Sequence, residues 1–349
     1  MTESLRARYA EQLFEIDRLV DEELACWPWQ DVPEMEQLVR GQLSRRGKRL
    51  RPLLMFTLAD LLGGDPWRVV PGATGVELYH LASLILDDVQ DNSAVRRGMP
   101  AVHTTSGVST ALNAAGLIRA LSFQPLHRST TLEPLEKLRI HERVGTATMH
   151  LYLGQTIDIG WHDGWYSTIN DYPYGQMTAW KTGAMFGCAA WIAAFVSGAP
   201  ETLVRSADQF GTKAGALYQL VDDYLDIFGP DGALLRPALE DLRGGKPTWP
   251  LITLCRVLAA QGERGTADLV VQRLCAADAQ EADWNWLLEL AGDLGIAEIL
   301  RKELDWRAQQ LALQAQDLAS GHGGSTAEIE LLIAILLRSA TSVTSACGG

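Results

Sequence analysis

The sequence predicts an all-α fold, on three observations. Ala- and Leu-rich segments with apolar residues at i, i+3 and i+4 recur from Ser4 to Val343. Strand-like alternation is scarce. Breaks fall at short Gly/Pro/Asp clusters, near Gly63-Gly64-Asp65-Pro66, Ser197-Gly198-Ala199-Pro200, Gly229-Pro230-Asp231-Gly232 and Gly321-His322-Gly323-Gly324, which read as interhelical loops and not as domain linkers. A chain of 349 residues with 47% hydrophobic content buries a full core. The expected organisation is a single helical-bundle domain over residues 1–340, with 341–349 as a disordered tail.

Two of the predicted helices carry the same acidic spacing. Asp87-Asp88-Val89-Gln90-Asp91 lies in LASLILDDVQDN, and Asp222-Asp223-Tyr224-Leu225-Asp226 in LYQLVDDYLDIFG. Residues at i and i+4 share a helix face, so Asp87 pairs with Asp91 and Asp222 with Asp226. A single such cluster is more often a cap or a solvated face. Two of them, each inside apolar sequence, point elsewhere: ionised carboxylates this close repel and call for divalent cations. All-oxygen ligation favours Mg²⁺, which completes its shell with water and substrate phosphate, and that predicts a diphosphate substrate.

The rest of the composition narrows the function class. A net charge of −13 argues against non-specific nucleic-acid binding and provides no basic patch for an anionic membrane. The N-terminal MTESLRARYAEQLFEIDRL is charged throughout and lacks a signal-peptide apolar core. The uncharged stretch from Thr182 to Pro200 is long enough to raise a membrane span, but it is Ala- and Gly-rich and reads as a buried core helix. The five cysteines show no metal-finger spacing and read as reduced thiols of a cytoplasmic protein.

Beyond the aspartates, the stretches GKRLRP (Gly47 to Pro52) and ELYHLASLILDDVQDNSAVRRGMPAVH (Glu77 to His103), then GQTIDIGWHD, KTGAMFG, YQLVDDYLDIFG and DLRGGKPTWPL, resemble the trans-isoprenyl diphosphate synthases (polyprenyl synthetases). The likeness runs in order from about residue 40 to 255. Within the family, DDVQDNSAVRRGMPAVH followed by GQTIDIGWHD looks most like geranylgeranyl diphosphate synthases of the animal and fungal type.

The resemblance implies the isoprenoid synthase bundle, in which two Asp-rich motifs face each other across a central apolar cavity. It also implies three Mg²⁺ per active site and a homodimer. Asp87, Asp91 and Asp222 match direct metal ligands, and Asp88, Asp223 and Asp226 match residues acting behind them or through water. Arg96, Lys181, Arg236 and Lys246 match the cations that grip the allylic diphosphate. Arg236 departs from the family's usual Lys, keeping the charge while Leu235 and Leu239 replace glycines beside it. Lys48, Arg51, His80 and Arg97 match the isopentenyl diphosphate pocket, with Lys48, Arg49 and Arg51 near an expected helix start and Arg49 expected to face elsewhere. Thr182 and Gln219 match residues whose oxygens lie near the developing allylic cation. No side chain stands out as a base, and in the family the departing diphosphate is the expected proton acceptor.

Product length is expected to follow the residues below the first motif. Short-chain relatives carry an aromatic residue five positions before it. Here that position is Ala82, followed by Ser83, so the next large residue, Tyr79, becomes a deeper floor suited to a product near C20. Trp161, Trp165, Trp180 and Trp191 read first as core packing, although aromatic faces also stabilise carbocations. That keeps a terpene cyclase, or a prenyltransferase to another acceptor, as an alternative. A non-catalytic partner subunit would be expected to have lost an aspartate cluster, and both are complete.

Overall fold

The computed structural model of the protein describes residues 2–45, 47–170, 172–230, 239–274, 279–320 and 325–341. In chain order its first helices are α1 (Thr2–Arg8), α2 (Ala10–Ala25), α3 (Pro33–Ser44), α4 (Leu50–Leu61) and α5 (Pro66–Gln90). A hairpin of two short antiparallel strands, β1 (Val95–Arg96) and β2 (Met99–Pro100), follows. Next come α6 (Val102–Ser106), α7 (Val108–Leu121), α8 (Gln124–Arg128), α9 (Pro134–His162), α10 (Tyr174–Thr178), a π-helical turn (Ala179–Gly183) and α11 (Ala184–Val196). The chain continues through α12 (Glu201–Phe228), α13 (Glu240–Arg243), α14 (Trp249–Ala260), α15 (Arg264–Leu274), α16 (Glu281–Asp293), α17 (Ile296–Ala319) and α18 (Ala327–Thr341). The predicted helical class is therefore what the structure shows. Arg236, and the 342–349 part of the expected tail, lie outside the described residues.

Contacts divide the chain into two compact units. One comprises Met1–Met149, Ala184–Thr212 and Leu313–Leu332; the other comprises His150–Gly183, Lys213–Ala312 and Ile333–Gly349. Most of these boundaries fall inside helices, in α9, α12, α17 and α18, so composition shifts at loops could not have revealed them.

In the first unit α4 is apolar on every side, as LRPLLMFTLADL dictates, and Leu53, Leu54, Met55, Phe56 and Leu58 are fully buried. Each such side chain contributes roughly 1.5–3 kcal/mol of transfer free energy. The helix α5 packs against α4, α7 and α11. Its start is set by Asp65, whose carboxylate accepts the Trp67 N–H at 2.9 Å, with Pro66 in the first turn. Close packing of α5 depends on Gly75: a Cβ there would meet the Ser122 carbonyl oxygen at 2.6 Å. In the second unit α15 packs on α14 and α16, with Val270, Leu274, Trp284 and Leu287 buried.

Two apolar helical stretches, Pro66–Gln90 and Tyr174–Val196, are long enough to cross a membrane by length and composition. Their most apolar windows are 61% and 72% buried within the protein, as core helices are. The stretch raised in the sequence, from Thr182 onward, is thus packed inside the protein.

Candidate active site

The first aspartate cluster ends α5. Asp87 and Asp91 sit one turn apart, and Asp91 closes the helix with its N–H on the Asp87 carbonyl at 2.8 Å. Both are half-buried. Asp88, rotated about 100° around the helix, is 3% exposed and takes Arg96 in a two-pronged ion pair, the Nε bond measuring 2.6 Å. Burial raises the Asp88 carboxyl above its ordinary range, and Arg96 pulls it back. The neighbours of one short motif are therefore committed differently.

Arg96 and Arg97 are presented by the β1–β2 hairpin. Its two-residue turn, Arg97-Gly98, has both φ angles positive (53° and 73°), the requirement of a type I′ turn. Arg97 donates from Nη1 to the Arg45 carbonyl at 2.5 Å and lies against Gly47, where a Cβ would come within 2.6 Å of its guanidinium. The segment leading into α4 carries further basic residues. Lys48 is exposed, and Arg49 adopts a left-handed φ of 55° as the helix begins at Leu50. Arg49 turns to Asp17 at 2.7 Å and Glu77 at 3.6 Å, the direction expected for it. The Arg51 guanidinium stacks over Phe186 of KTGAMFG at 4.4 Å.

His80 is partly buried on α5. Burial, then the charges of Arg51, Arg97 and Arg96, hold its imidazole well below the ordinary value, so it is neutral at pH 7. The linkage has a definite sign. The unfolded chain takes up a proton at this position as pH falls through about 6.5 while the folded chain does not, so stability present above that pH is lost on acidification. Relative to His80→Gln, the wild type is expected to lose on the order of 1 kcal/mol more between about pH 7.5 and 5.5, as read from urea midpoints. Parallel curves for the two proteins would remove this electrostatic account.

The floor residues divide. Ala82 (1% exposed) packs in a cluster with Ala111, Ala115 and Ile118 of α7, and the Ser83 hydroxyl donates to the His80 carbonyl at 2.8 Å. Tyr79, 2% exposed, lines a narrow cavity of about 20 Å³ with Gly72, Gly75, Val76, Ser122, Phe123 and others, room for about one water-sized sphere.

The second cluster lies on α12. Asp222 is half-buried, whereas Asp223 and Asp226 are 3% and 1% exposed. Asp223 accepts three hydrogen bonds: from Tyr174 Oη at 2.6 Å, from the Trp249 N–H at 3.0 Å and from Gln219 Nε2 at 2.9 Å. Burial and then the charge of Asp241 push its carboxyl up to about 6, against those donors. Asp226 takes the Glu240 N–H at 3.1 Å at the start of α13. Lys246 pairs with Asp241 at 3.5 Å.

Lys181 and Thr182 sit in the π-helical turn, a departure from α-helix of the kind found at functional sites. Thr182 Oγ1 donates to Gln219 Oε1 at 2.9 Å, and Lys181 Nζ to Asp158 Oδ2 at 2.6 Å. Close approach is possible because residue 154 is glycine: a Cβ there would lie 2.3 Å from the Lys181 nitrogen. Asp158, one turn further along α9, is buried. Burial is the largest influence on its carboxyl and would raise it, but Lys181 and Lys246 together bring it down to about 2.

Asp158, Tyr172 and Tyr174 are the residues that sequence reasoning missed. Asp158 lies within GQTIDIGWHD but belongs to no repeated spacing, and its partner is remote in sequence. Of the four tryptophans, Trp161 and Trp191 are buried, Trp180 stacks on His150 at 5.6 Å, and Trp165 is 60% exposed.

As metal donors, the described residues offer no ready-made cage of three or more His, Cys, Asp or Glu. Mg²⁺ does not need one, since one or two carboxylates suffice when water and phosphate complete the octahedron. The half-buried Asp87, Asp91 and Asp222 fit that donor chemistry, while Asp88 is tied to Arg96 and both Asp223 oxygens accept hydrogen bonds from the protein.

The chain is similar to known proteins in sequence and in fold. The sequence profile of the polyprenyl synthetase family matches residues 32–284. A geranylgeranyl diphosphate synthase of Saccharolobus solfataricus is 31% identical over 78% of this chain and 78% of its own length. A geranylfarnesyl diphosphate synthase of Aeropyrum pernix is 30% identical over 83% and 88%. The crystal structure of a geranylgeranyl pyrophosphate synthetase from Pyrococcus horikoshii superimposes with a TM-score of 0.79, at 26% identity, covering 96% of this chain and 98% of that one. These relatives are archaeal, so they support the family without supporting its animal and fungal branch. A helical fold, with the family profile running through both aspartate clusters, places this chain in the polyprenyl synthetase family of trans-prenyltransferases.

Proposed function

We propose that the protein condenses isopentenyl diphosphate with an allylic diphosphate (dimethylallyl, geranyl or farnesyl) to give geranylgeranyl diphosphate. The observation that carries this reading is the cationic group around His80. The charges of Arg51, Arg97 and Arg96 act on a neutral imidazole, and His80 and Arg97 line one cavity with Arg45 and Gly47, in support of a second anion pocket that a one-substrate cyclase does not need.

In the reaction the allylic C–O bond breaks and its electron pair leaves with the diphosphate. Asp87, Asp91 and Asp222 would hold Mg²⁺, three ions as the resemblance implies, which would supply charge neutralisation to that leaving group. Arg96, Lys181, Lys246 and Arg236 grip the same diphosphate, and Arg96 reaches it from its bridge on Asp88. Lys48, Arg51, His80 and Arg97 bind isopentenyl diphosphate, whose double bond attacks the allylic carbon. Thr182 and Gln219 turn oxygens toward the positive charge, and the departing diphosphate takes the proton. Tyr79 sets the floor of the prenyl cavity, with no aromatic side chain at Ala82 or Ser83 to close it higher.

The chain is read as one catalytic domain over 1–340, working in the cytoplasm as a homodimer. Val108 and Leu112 on α7, and Leu135, Leu138 and Met149 on α9, are about half or more exposed, in support of a helix-to-helix interface with a second copy. Incubation of the purified protein with Mg²⁺, isopentenyl diphosphate and farnesyl diphosphate, followed by chromatography of the dephosphorylated products, tests the reading. A single C20 alcohol, formed only when both substrates are present, is expected. A cyclic hydrocarbon from farnesyl diphosphate alone would overturn it.

A further inference from the structure

The segment Tyr172-Pro173-Tyr174, which belongs to none of the motifs, sits immediately before the turn that bears Lys181 and Thr182. Pro173, at φ −81° and ψ 59°, forms an inverse γ-turn in which the Tyr174 N–H reaches the Tyr172 carbonyl at 2.8 Å. Both phenols are buried, and each donates to a different buried carboxylate. Tyr172 Oη lies 3.3 Å from Asp158 Oδ1, and Tyr174 Oη lies 2.6 Å from Asp223 Oδ2.

The Tyr174 branch has a consequence for the two residues beyond it. An ionised carboxylate only accepts hydrogen bonds. With Tyr174 and the Trp249 N–H on Oδ2, Asp223 turns Oδ1 to Gln219, so the amide must present its nitrogen, at 2.9 Å. The Gln219 oxygen then faces Thr182, whose hydroxyl must donate to it at 2.9 Å. That leaves both Thr182 lone pairs, and the second lone pair of the Gln219 oxygen, for other work. Each link fixes the polarity of the next. Loss of the first donor leaves Oδ2 of Asp223 on the Trp249 N–H alone, and loosens the carboxylate that orients the amide.

We propose that Tyr174 is a positioning residue for prenyl transfer, its hydroxyl fixing, through Asp223, the orientation of the Gln219 amide and hence of the Thr182 hydroxyl. The proposal rests on the prenyltransferase reading, because the oriented oxygens are those assigned to the developing allylic charge. Tyr172 serves Lys181 in parallel through Asp158, so the Tyr-Pro-Tyr turn orders two adjacent residues by separate routes.

The test is a double-mutant cycle of Tyr174→Phe and Gln219→Ala, in the assay with isopentenyl and farnesyl diphosphates. Tyr174→Phe keeps the ring and its packing. It is expected to lower kcat about tenfold or more, the scale of one hydrogen bond to a charged group, with both KM values within about threefold of wild type. In the Gln219→Ala background the same change is expected to lower kcat by no more than about twofold, because its route to the reacting atoms is already gone. Equal fold-losses in both backgrounds overturn the proposal, as does a Tyr174→Phe enzyme that melts lower but turns over as wild type. A wild-type protein inactive with every allylic diphosphate sinks the prenyltransferase reading itself, and is recognised before any variant is made.

Discussion

Asp87→Ala is expected to lower kcat by roughly two to three orders of magnitude while leaving the fold intact. Asp87 is half-buried at the end of α5, so its replacement is expected to cost less stability than that of a fully buried residue. Its loss would fall on the leaving diphosphate, whose charge must be matched as the C–O bond breaks. Asp88→Ala should behave in the opposite way. Asp88 is 3% exposed and holds Arg96 in a two-pronged pair, so its removal takes a charged partner from a guanidinium in partly desolvated surroundings. About 1–3 kcal/mol of stability should go with it, with a smaller effect on turnover. Urea denaturation and steady-state kinetics on both variants, each across a Mg²⁺ titration, separate the two. The metal assignment fails if Asp87→Ala keeps near-wild-type turnover, or if Asp88→Ala loses more activity than Asp87→Ala at unchanged stability.

That contrast marks what could and could not be read from the chain itself. Helical spacing around Leu81, Leu84, Ile85 and Leu217, Leu220, Val221 sufficed to put both aspartate clusters on helices, because a 3.6-residue period is a local property. The i, i+4 argument also separated Asp87 and Asp91 from Asp88, since a 100° rotation sends neighbours to different surroundings. The identity of those surroundings was not local. Nothing near Asp88 in sequence says that a hairpin with two left-handed residues will bring Arg96 to it. The partners of Asp158 and Asp223 are equally remote, and Tyr172 and Tyr174 look like any aromatics available for packing until their hydroxyls are placed. The two-unit division was invisible for a related reason: it cuts α9, α12, α17 and α18 in mid-helix, where no Gly/Pro punctuation marks it.

Chain length is the other place where one side chain should have a large effect. Tyr79→Ala is expected to shift the main product at least one isoprene unit beyond that of the wild type. Ala82 is spent in the packing against Ala111 and Ala115, which leaves Tyr79, a turn further down α5, as the bulky group facing the narrow cavity beside Val76 and Ser122. That cavity, about 20 Å³, is too small to take a prenyl tail with the phenol in place. Deleting the ring joins its volume to the cavity and lines the extension with apolar groups. The substitution also removes a fully buried aromatic, at about 3–5 kcal/mol, so the protein must be assayed below its lowered melting temperature. Refilling supplies the control. Val76→Phe in the Tyr79→Ala background puts a ring back one turn lower, where backbone approach at Gly75 leaves α5 no room to shift, and should return the product toward the wild-type length. Unchanged products from Tyr79→Ala would move the floor off α5 altogether. Longer products that Val76→Phe fails to shorten would mean that the tail leaves by a route other than this cavity.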